Sequence, residues 1–292
     1  DEKLLRSACR AVADQRGRSL LIETPGDAAV DDFEFIYRLA AKAVDGFALD
    51  KSPGYPLCLE FWENGQVLDD DRESIVLAIA ARVHAWLSPE TPFEEFSRHP
   101  LGLVLSGLID PSSVFIKNEP HPKRKLDGGR YRCITPVSLV DQGVEAVLFG
   151  EASRRLTERM FDNGSAVGIG FSDAQIAEFR DYVEKRVSQF GGLVSDDVGG
   201  FDAVHTEQTL RATVLIDDLT FEVQGGNRAW RRANHRWVTG SCCSVSVFGP
   251  KLYVKSLPGM INSGSKDTSR RNTLLRNLYS HYFCLASGQP SP

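Results

Sequence analysis

Seven stretches of this chain repeat apolar residues at three- and four-residue spacing, and five short runs alternate or stay apolar. That ratio limits the folds available to it. Residues 31–47 place Phe33, Ile36, Leu39, Ala40 and Ala43 on one helical face, and residues 73–87 do the same with Ile75, Ala78, Ile79, Val83 and Trp86 before Pro89 stops them. Residues 139–160, 173–190, 206–223, 228–238 and 267–286 read as further helices. Residues 114–117 and 130–135 read as two strands of a hairpin, and residues 244–248 and 251–255 as another, turning at Gly249-Pro250. Residues 192–197 read as a buried strand. Many helices, few strands and mostly antiparallel pairing predict an α+β fold rather than a doubly wound sheet.

Charge is distributed unevenly. The first 112 residues hold 11 basic and 20 acidic side chains, whereas residues 226–292 hold 10 basic ones and a single acid, Asp267. A polyanion partner would use such a block, and a solvated basic face would look the same. The six cysteines form no CxxC pair, so zinc-finger spacing is absent and free thiols are the simplest expectation. No apolar run approaches the roughly 20 residues of a membrane span. The chain opens at Asp1 without a signal-peptide pattern and reads as a fragment or processed piece.

Three segments carry candidate chemistry. Leu193-Val-Ser-Asp-Asp-Val-Gly-Gly-Phe-Asp202 sets acids where a strand ends, with two glycines that let the backbone turn and approach a ligand. A rigidly held carboxylate such as Asp197 suits a hard divalent cation, which keeps phosphate oxygens among its ligands; an ordinary solvated loop has the same composition. The hairpin over residues 116–134 concentrates Lys117, Lys123, Arg124, Lys125, Arg130 and Arg132, enough to cradle a triphosphate or an RNA backbone, or to make a charged surface turn. The segment Gly259-Met-Ile-Asn-Ser-Gly-Ser-Lys-Asp-Thr-Ser-Arg-Arg-Asn272 feeds a Gly/Ser loop into a helix. Thr268 and Asn272, four apart, share a face of that helix. Asn272 can both donate to and accept from a sugar hydroxyl, and Ser263 or Ser265 can cap the helix.

In this order the segments resemble the viral RNA-dependent RNA polymerases, and among them the sobemovirus and polerovirus-like positive-strand RNA viruses. Asp197-Val-Gly-Gly-Phe-Asp202 looks like motif A, with Phe201 where Trp is commoner. Ser263-Gly-Ser-Lys-Asp-Thr268-Ser-Arg-Arg-Asn272 looks like motif B. Lys117-Asn-Glu-Pro-His121 through Arg130-Tyr-Arg-Cys-Ile134, followed by Val137-Ser-Leu-Val-Asp-Gln142, looks like motif F and the helix after it. Ser52-Pro-Gly-Tyr-Pro56 looks like motif G.

The resemblance implies a right-hand polymerase, with residues 1–190 mainly fingers and N-terminal helices and residues 191–292 a partial palm. It implies RNA-templated RNA synthesis in viral genome replication. Asp197 would bind the catalytic metals, Mg²⁺ or Mn²⁺. Asp202 and Asn272 would sense the ribose 2′-hydroxyl, supported by Thr268, Ser263 and Gly264. Lys117, Lys125, Arg130 and Arg132 would neutralise the triphosphate, and Ser52, Pro53, Gly54 and Pro56 would guide the template. Implied partners are template and nascent RNA, nucleoside triphosphates and other viral replication proteins, at membrane-associated sites in the host cytoplasm, with no membrane anchor in this chain. The family's Gly-Asp-Asp motif C does not occur in the sequence, so the expectation is a C-terminally truncated polymerase, weak or inactive alone. The alternative is a non-catalytic RNA-binding module using the basic hairpin and the basic C-terminal block. A reverse transcriptase fits less well, because Asp202 and Asn272 together suit a 2′-hydroxyl.

Overall fold

The computed structural model describes residues 1–17, 30–120, 122–129, 131–158, 161, 165–170, 172–192, 201, 205–224, 227–242, 245–254, 259, 261–262, 264–265 and 267–289. Along these the helices are α1 (Glu2–Gly17), α2 (Phe33–Asp45), α3 (Asn64–Leu87), α4 (Phe93–Phe96), α5 (Pro100–Leu105), α6 (Lys123–Asp127), α7 (Leu139–Glu158), α8 (Asp173–Phe190), α9 (Glu207–Gln224), α10 (Arg228–Cys242) and α11 (Thr268–Ala286). The strands are β1 (Ser112–Ser113), β2 (Phe115–Ile116), β3 (Cys133–Ile134), β4 (Val245–Phe248) and β5 (Lys251–Val254). The result is helix-rich α+β. β2 pairs antiparallel with β3, Phe115 opposite Ile134. β4 pairs antiparallel with β5 and parallel with β1, placing β4 in the middle of a three-stranded sheet. The strand read over residues 192–197 lies almost wholly outside the described residues.

Local signals set the helix ends. Asp32 caps α2 by accepting from the Glu34 and Phe35 amides. Ser172 caps α8 through the Gln175 amide, and Gly191, left-handed at φ +79°, closes it. α3 begins well before residue 73. Gln66 reaches back to the Glu63 amide as a capping box, and Asp71 breaks helical geometry within the run.

Apolar faces collect into two clusters. One packs α2, α3 and α7 around Ile36, Ile79, Val83, Trp86, Leu139 and Val144. The other packs α1, α9 and α11 around Val12, Leu210, Ile216, Leu274, Leu275 and Leu278. α10 joins them: Trp230, Ala233 and Trp237 belong to the first, Val238 and Cys242 to the second. The N-terminal helix therefore packs on α9 and α11. Among the described residues no helix is long and apolar enough to cross a membrane.

Candidate functional site

The stretch over residues 135–138, between β3 and α7, brings the motif-like segments together. On one side the Leu139 amide donates to Pro53 O at 2.7 Å. Gly54 sits at φ +67°, and a Cβ there would lie 2.6 Å from Val137 O. Both the backbone angle and the close approach require glycine. On the other side the Gly264 amide donates to Thr135 O at 3.1 Å, and a Cβ on Gly264 would lie 2.8 Å from both Thr135 O and the Pro136 Cα. Residues 52–56 and the 264–265 loop thus grip the same strip of backbone from two sides. Tyr55-Pro56 is a cis peptide within the first of them.

Asn262, Ser265 and Thr268, ahead of and at the start of α11, are bonded to one another. Thr268 Oγ1 donates to Asn262 O at 2.7 Å, the Ser265 amide to Asn262 O, and the Thr268 amide to Ser265 O. Thr268 and Asn272 are both half-buried, one turn apart on α11. Asp267, rather than Ser265, takes the helix-cap position, though its carboxylate bonds no cap amide; Ser263 lies outside the described residues. It holds arginines instead, Arg270 at 2.5 and 2.9 Å and Arg271 at 2.6 Å. Arg270 continues to Asp217 on α9 at 2.8 Å, and Asn234 on α10 also donates to Asp217. Both guanidinium groups lie over the Phe149 ring, at 5.1 and 5.4 Å. Burial raises the Asp267 carboxyl, but the two arginines more than offset it and hold it below the usual carboxylate range.

These contacts explain where much of the basic C-terminal block goes. Arg236, Arg270 and Arg271 are buried. Arg236 donates to Trp86 O, Ser88 O and Thr91 O, and Arg231 pairs with Asp218. The block compensates acids on α9 and closes backbone carbonyls, so these four cations are committed inside the fold.

The β2–β3 hairpin is different. Lys117 and Arg132 share Glu119, at 2.6 and 3.7 Å, and the Lys117 amide donates to Arg132 O. Lys125 stands exposed on α6, and Phe115, Ile116 and Tyr131 are exposed beside these cations. Cations interleaved with apolar and aromatic side chains can meet both phosphates and bases.

Of the residues singled out in the sequence, the structure brings Pro53, Gly54 and Gly264 against one strip of backbone, with Arg132 just ahead of the β3 strand that leads into it and Thr268 bonded to Asn262 and Ser265 beside Gly264. Asp197, Asp202, Ser263 and Arg130 lie outside the described residues. Among the described residues no three His, Cys, Asp or Glu side chains cluster as a metal site. Sequence reading passed over the groups that fasten the strip. Asp141 takes Arg82 at 2.5 Å and the Asp110 amide at 2.8 Å, while Ser138 Oγ donates to Asp110. Glu145 takes Ser265 Oγ at 2.7 Å and the Trp237 indole N–H at 3.2 Å. Their signal was two acids four apart on the stripe that also carries Leu148 and Ala152, where apolar residues belong.

The family profile of viral RNA-directed RNA polymerases matches residues 51–183. The replicase polyprotein P2AB of Cocksfoot mottle virus is 32% identical over 252 residues, covering 83% of this chain and 26% of that protein. Protein P1-P2 of Turnip yellows virus is 34% identical over 204 residues, 64% of this chain and 19% of that protein. The RNA-directed RNA polymerase of Mushroom bacilliform virus is 29% identical over 243 residues, 83% of this chain and 57% of that protein. The chain spans about a quarter of the length of the replicase polyproteins it matches.

Proposed function

We propose, because this chain belongs to the viral RNA-directed RNA polymerase family, that it forms the fingers and part of the palm of an enzyme that copies RNA from an RNA template. The observation that carries this reading is the strip over residues 135–138, which continues from β3 of the basic hairpin and against which Pro53, Gly54 and Gly264 pack. Those are the segments that template, triphosphate and ribose must reach together.

In this reading residues 52–56 guide the template strand. Lys117, Lys125, Arg130 and Arg132 offset charge on the triphosphate, where preoriented cations act on charge that develops in the transition state. Thr268 sets the floor of the ribose pocket by fixing Asn262, and Asn272, one turn on, faces the 2′-hydroxyl together with Asp202. Asp197 would hold divalent metal, Mg²⁺ or Mn²⁺. When bound, such ions activate the attacking 3′-oxygen and neutralise the leaving pyrophosphate. The enzyme works with other viral replication proteins at membrane-associated sites in the host cytoplasm.

Mg²⁺-dependent binding of nucleoside triphosphates, measured by calorimetry on the chain and on its Asp197→Ala variant, tests the reading. Binding that needs Mg²⁺ and is lost in Asp197→Ala is expected. RNA binding with no metal-dependent nucleotide binding contradicts it and leaves an RNA-binding module. In the full-length replicase, Asp202→Ala should narrow the preference for ribonucleotides over deoxyribonucleotides, whereas Asp197→Ala should abolish incorporation of both.

A further inference from the structure

α7 carries three attachments along its first two turns. Its first residue, Leu139, bonds residues 52–56 through Pro53 O. Asp141 bonds Arg82 and the Asp110 amide. Glu145 bonds Ser265 in the loop that leads into α11. The second and third are carboxylates on the buried stripe of an otherwise apolar helix face.

A buried carboxylate costs several kcal/mol to desolvate, and a leucine at the same place would not. The partners of Glu145 indicate what its retention accomplishes. Its Oε1 accepts from both Ser265 Oγ and Trp237 Nε1. The Trp237 indole packs edge-on against Trp86, so one partner is set by the core and the other belongs to the loop. Arg271 and Asn262 line the same small pocket as Glu145 and Ser265. Burial raises the Glu145 carboxyl while Arg271 pulls it down. Burial prevails, so the carboxyl is held above its ordinary range, and the Glu145 side chain faces the loop ahead of α11.

We propose that Glu145 is a positioning residue for the nucleotide pocket: through Ser265 it fixes the bonded set Asn262, Ser265 and Thr268, and with it the Thr268 and Asn272 face of α11. This rests on the polymerase reading given above. Glu145 bonds Ser265 and Trp237. It acts by holding the loop whose carbonyl, Asn262 O, receives Thr268 Oγ1.

The test uses the chain with Glu145→Gln, Glu145→Ala, Ser265→Ala and the Glu145→Gln/Ser265→Ala pair. Amide hydrogen exchange is read at Ser265 and Thr268, and the affinity ratio for ribo- over 2′-deoxyribonucleoside triphosphate is read by calorimetry. Glu145→Ala and Ser265→Ala should each raise exchange at these two amides and narrow the ratio by about 2- to 10-fold, the worth of one hydrogen bond. Exchange in the middle of α7 should stay unchanged. Glu145→Gln keeps an acceptor for the Ser265 hydroxyl and should retain part of the protection. The paired variant should fall short of the sum of the single effects. If Glu145→Ala does not fold, Ser265→Ala and Glu145→Gln still decide the matter. Unchanged exchange at Ser265 and Thr268 in folded Ser265→Ala and Glu145→Gln overturns the proposal, as does a ratio that does not move. An unmodified chain that does not prefer ribonucleotides overturns the polymerase reading and the nucleotide part of the proposal. The exchange result then still decides whether Glu145 holds the loop.

Discussion

The hairpin over residues 115–134 and the start of α11 use the same side chains for opposite ends. In the hairpin Lys117 and Arg132 share one carboxylate, Glu119, with side chains 41% and 64% exposed. At α11 Arg270 and Arg271 share one carboxylate, Asp267, with side chains 4%, 4% and 0% exposed. Exposed pairs contribute about 0–1 kcal/mol and can exchange partners for a phosphate. Buried pairs cannot, because parting them leaves a charge in a medium that does not solvate it. Basic composition alone does not distinguish the two, so a count of arginines overstates what the C-terminal block can offer to RNA.

The largest effect should come from breaking the buried cluster. Asp267→Ala leaves Arg270 and Arg271 without their shared carboxylate and should lower stability by about 3–5 kcal/mol in urea unfolding. Glu119→Ala, the matching deletion in the hairpin, should change it by less than about 1 kcal/mol. Similar losses from the two would erase the comparison.

A smaller loss is expected from Gly54→Ala. The added Cβ meets Val137 O at 2.6 Å, and φ +67° disfavours an L-residue. Stability should fall by more than about 1 kcal/mol. Gly129→Ala, at φ +61° in the hairpin with open space around it, separates backbone strain from the collision. Equal losses at both sites would show that the grip on residues 135–138 adds nothing.

Asp141 sharpens the comparison through pH. Burial, with the neighbouring Asp110 carboxylate adding to it and Arg82 opposing, pushes Asp141 up to about 7. In the unfolded chain its pKa is about 3.9. The folded chain therefore keeps a proton that the unfolded chain has released between about pH 4 and pH 7. The stabilisation is complete below that window and is lost as pH rises through 7. Asp141→Asn should flatten this slope in unfolding measured from pH 4 to 8, and an unaltered slope would remove Asp141 as its source.

Much of the architecture was legible in the sequence. The helix read over residues 173–190 matches α8 and both hairpins were read at their turns. α1 escaped a definite span because its buried face is made of Ala8, Cys9, Val12 and Ala13, residues too small to mark a stripe. The first part of α3 escaped because Asp69, Asp70 and Asp71 interrupt its apolar pattern. The resemblance to the polymerase family was legible in the identity and order of its motif-like segments. Their fastenings were not, since Glu145 to Ser265 and Asp217 to Arg270 join residues 120 and 53 positions apart. Local periodicity has no access to such pairs. A buried acid on an apolar stripe is the trace they leave.

Lys117, Lys125 and Arg132 of the hairpin are exposed enough to meet a polyanion, whereas the buried Arg270 and Arg271 build the fold. The direct measurement is the salt dependence of single-stranded RNA binding by the chain and by Lys117→Ala/Lys125→Ala/Arg132→Ala. Stability should shift by no more than about 0.5 kcal/mol per exposed substitution. The slope of log affinity against log salt should fall by about 0.7 for each phosphate that the variant no longer neutralises, roughly 2 in all. A triple variant that folds and binds RNA with the slope of the unmodified chain would contradict the account.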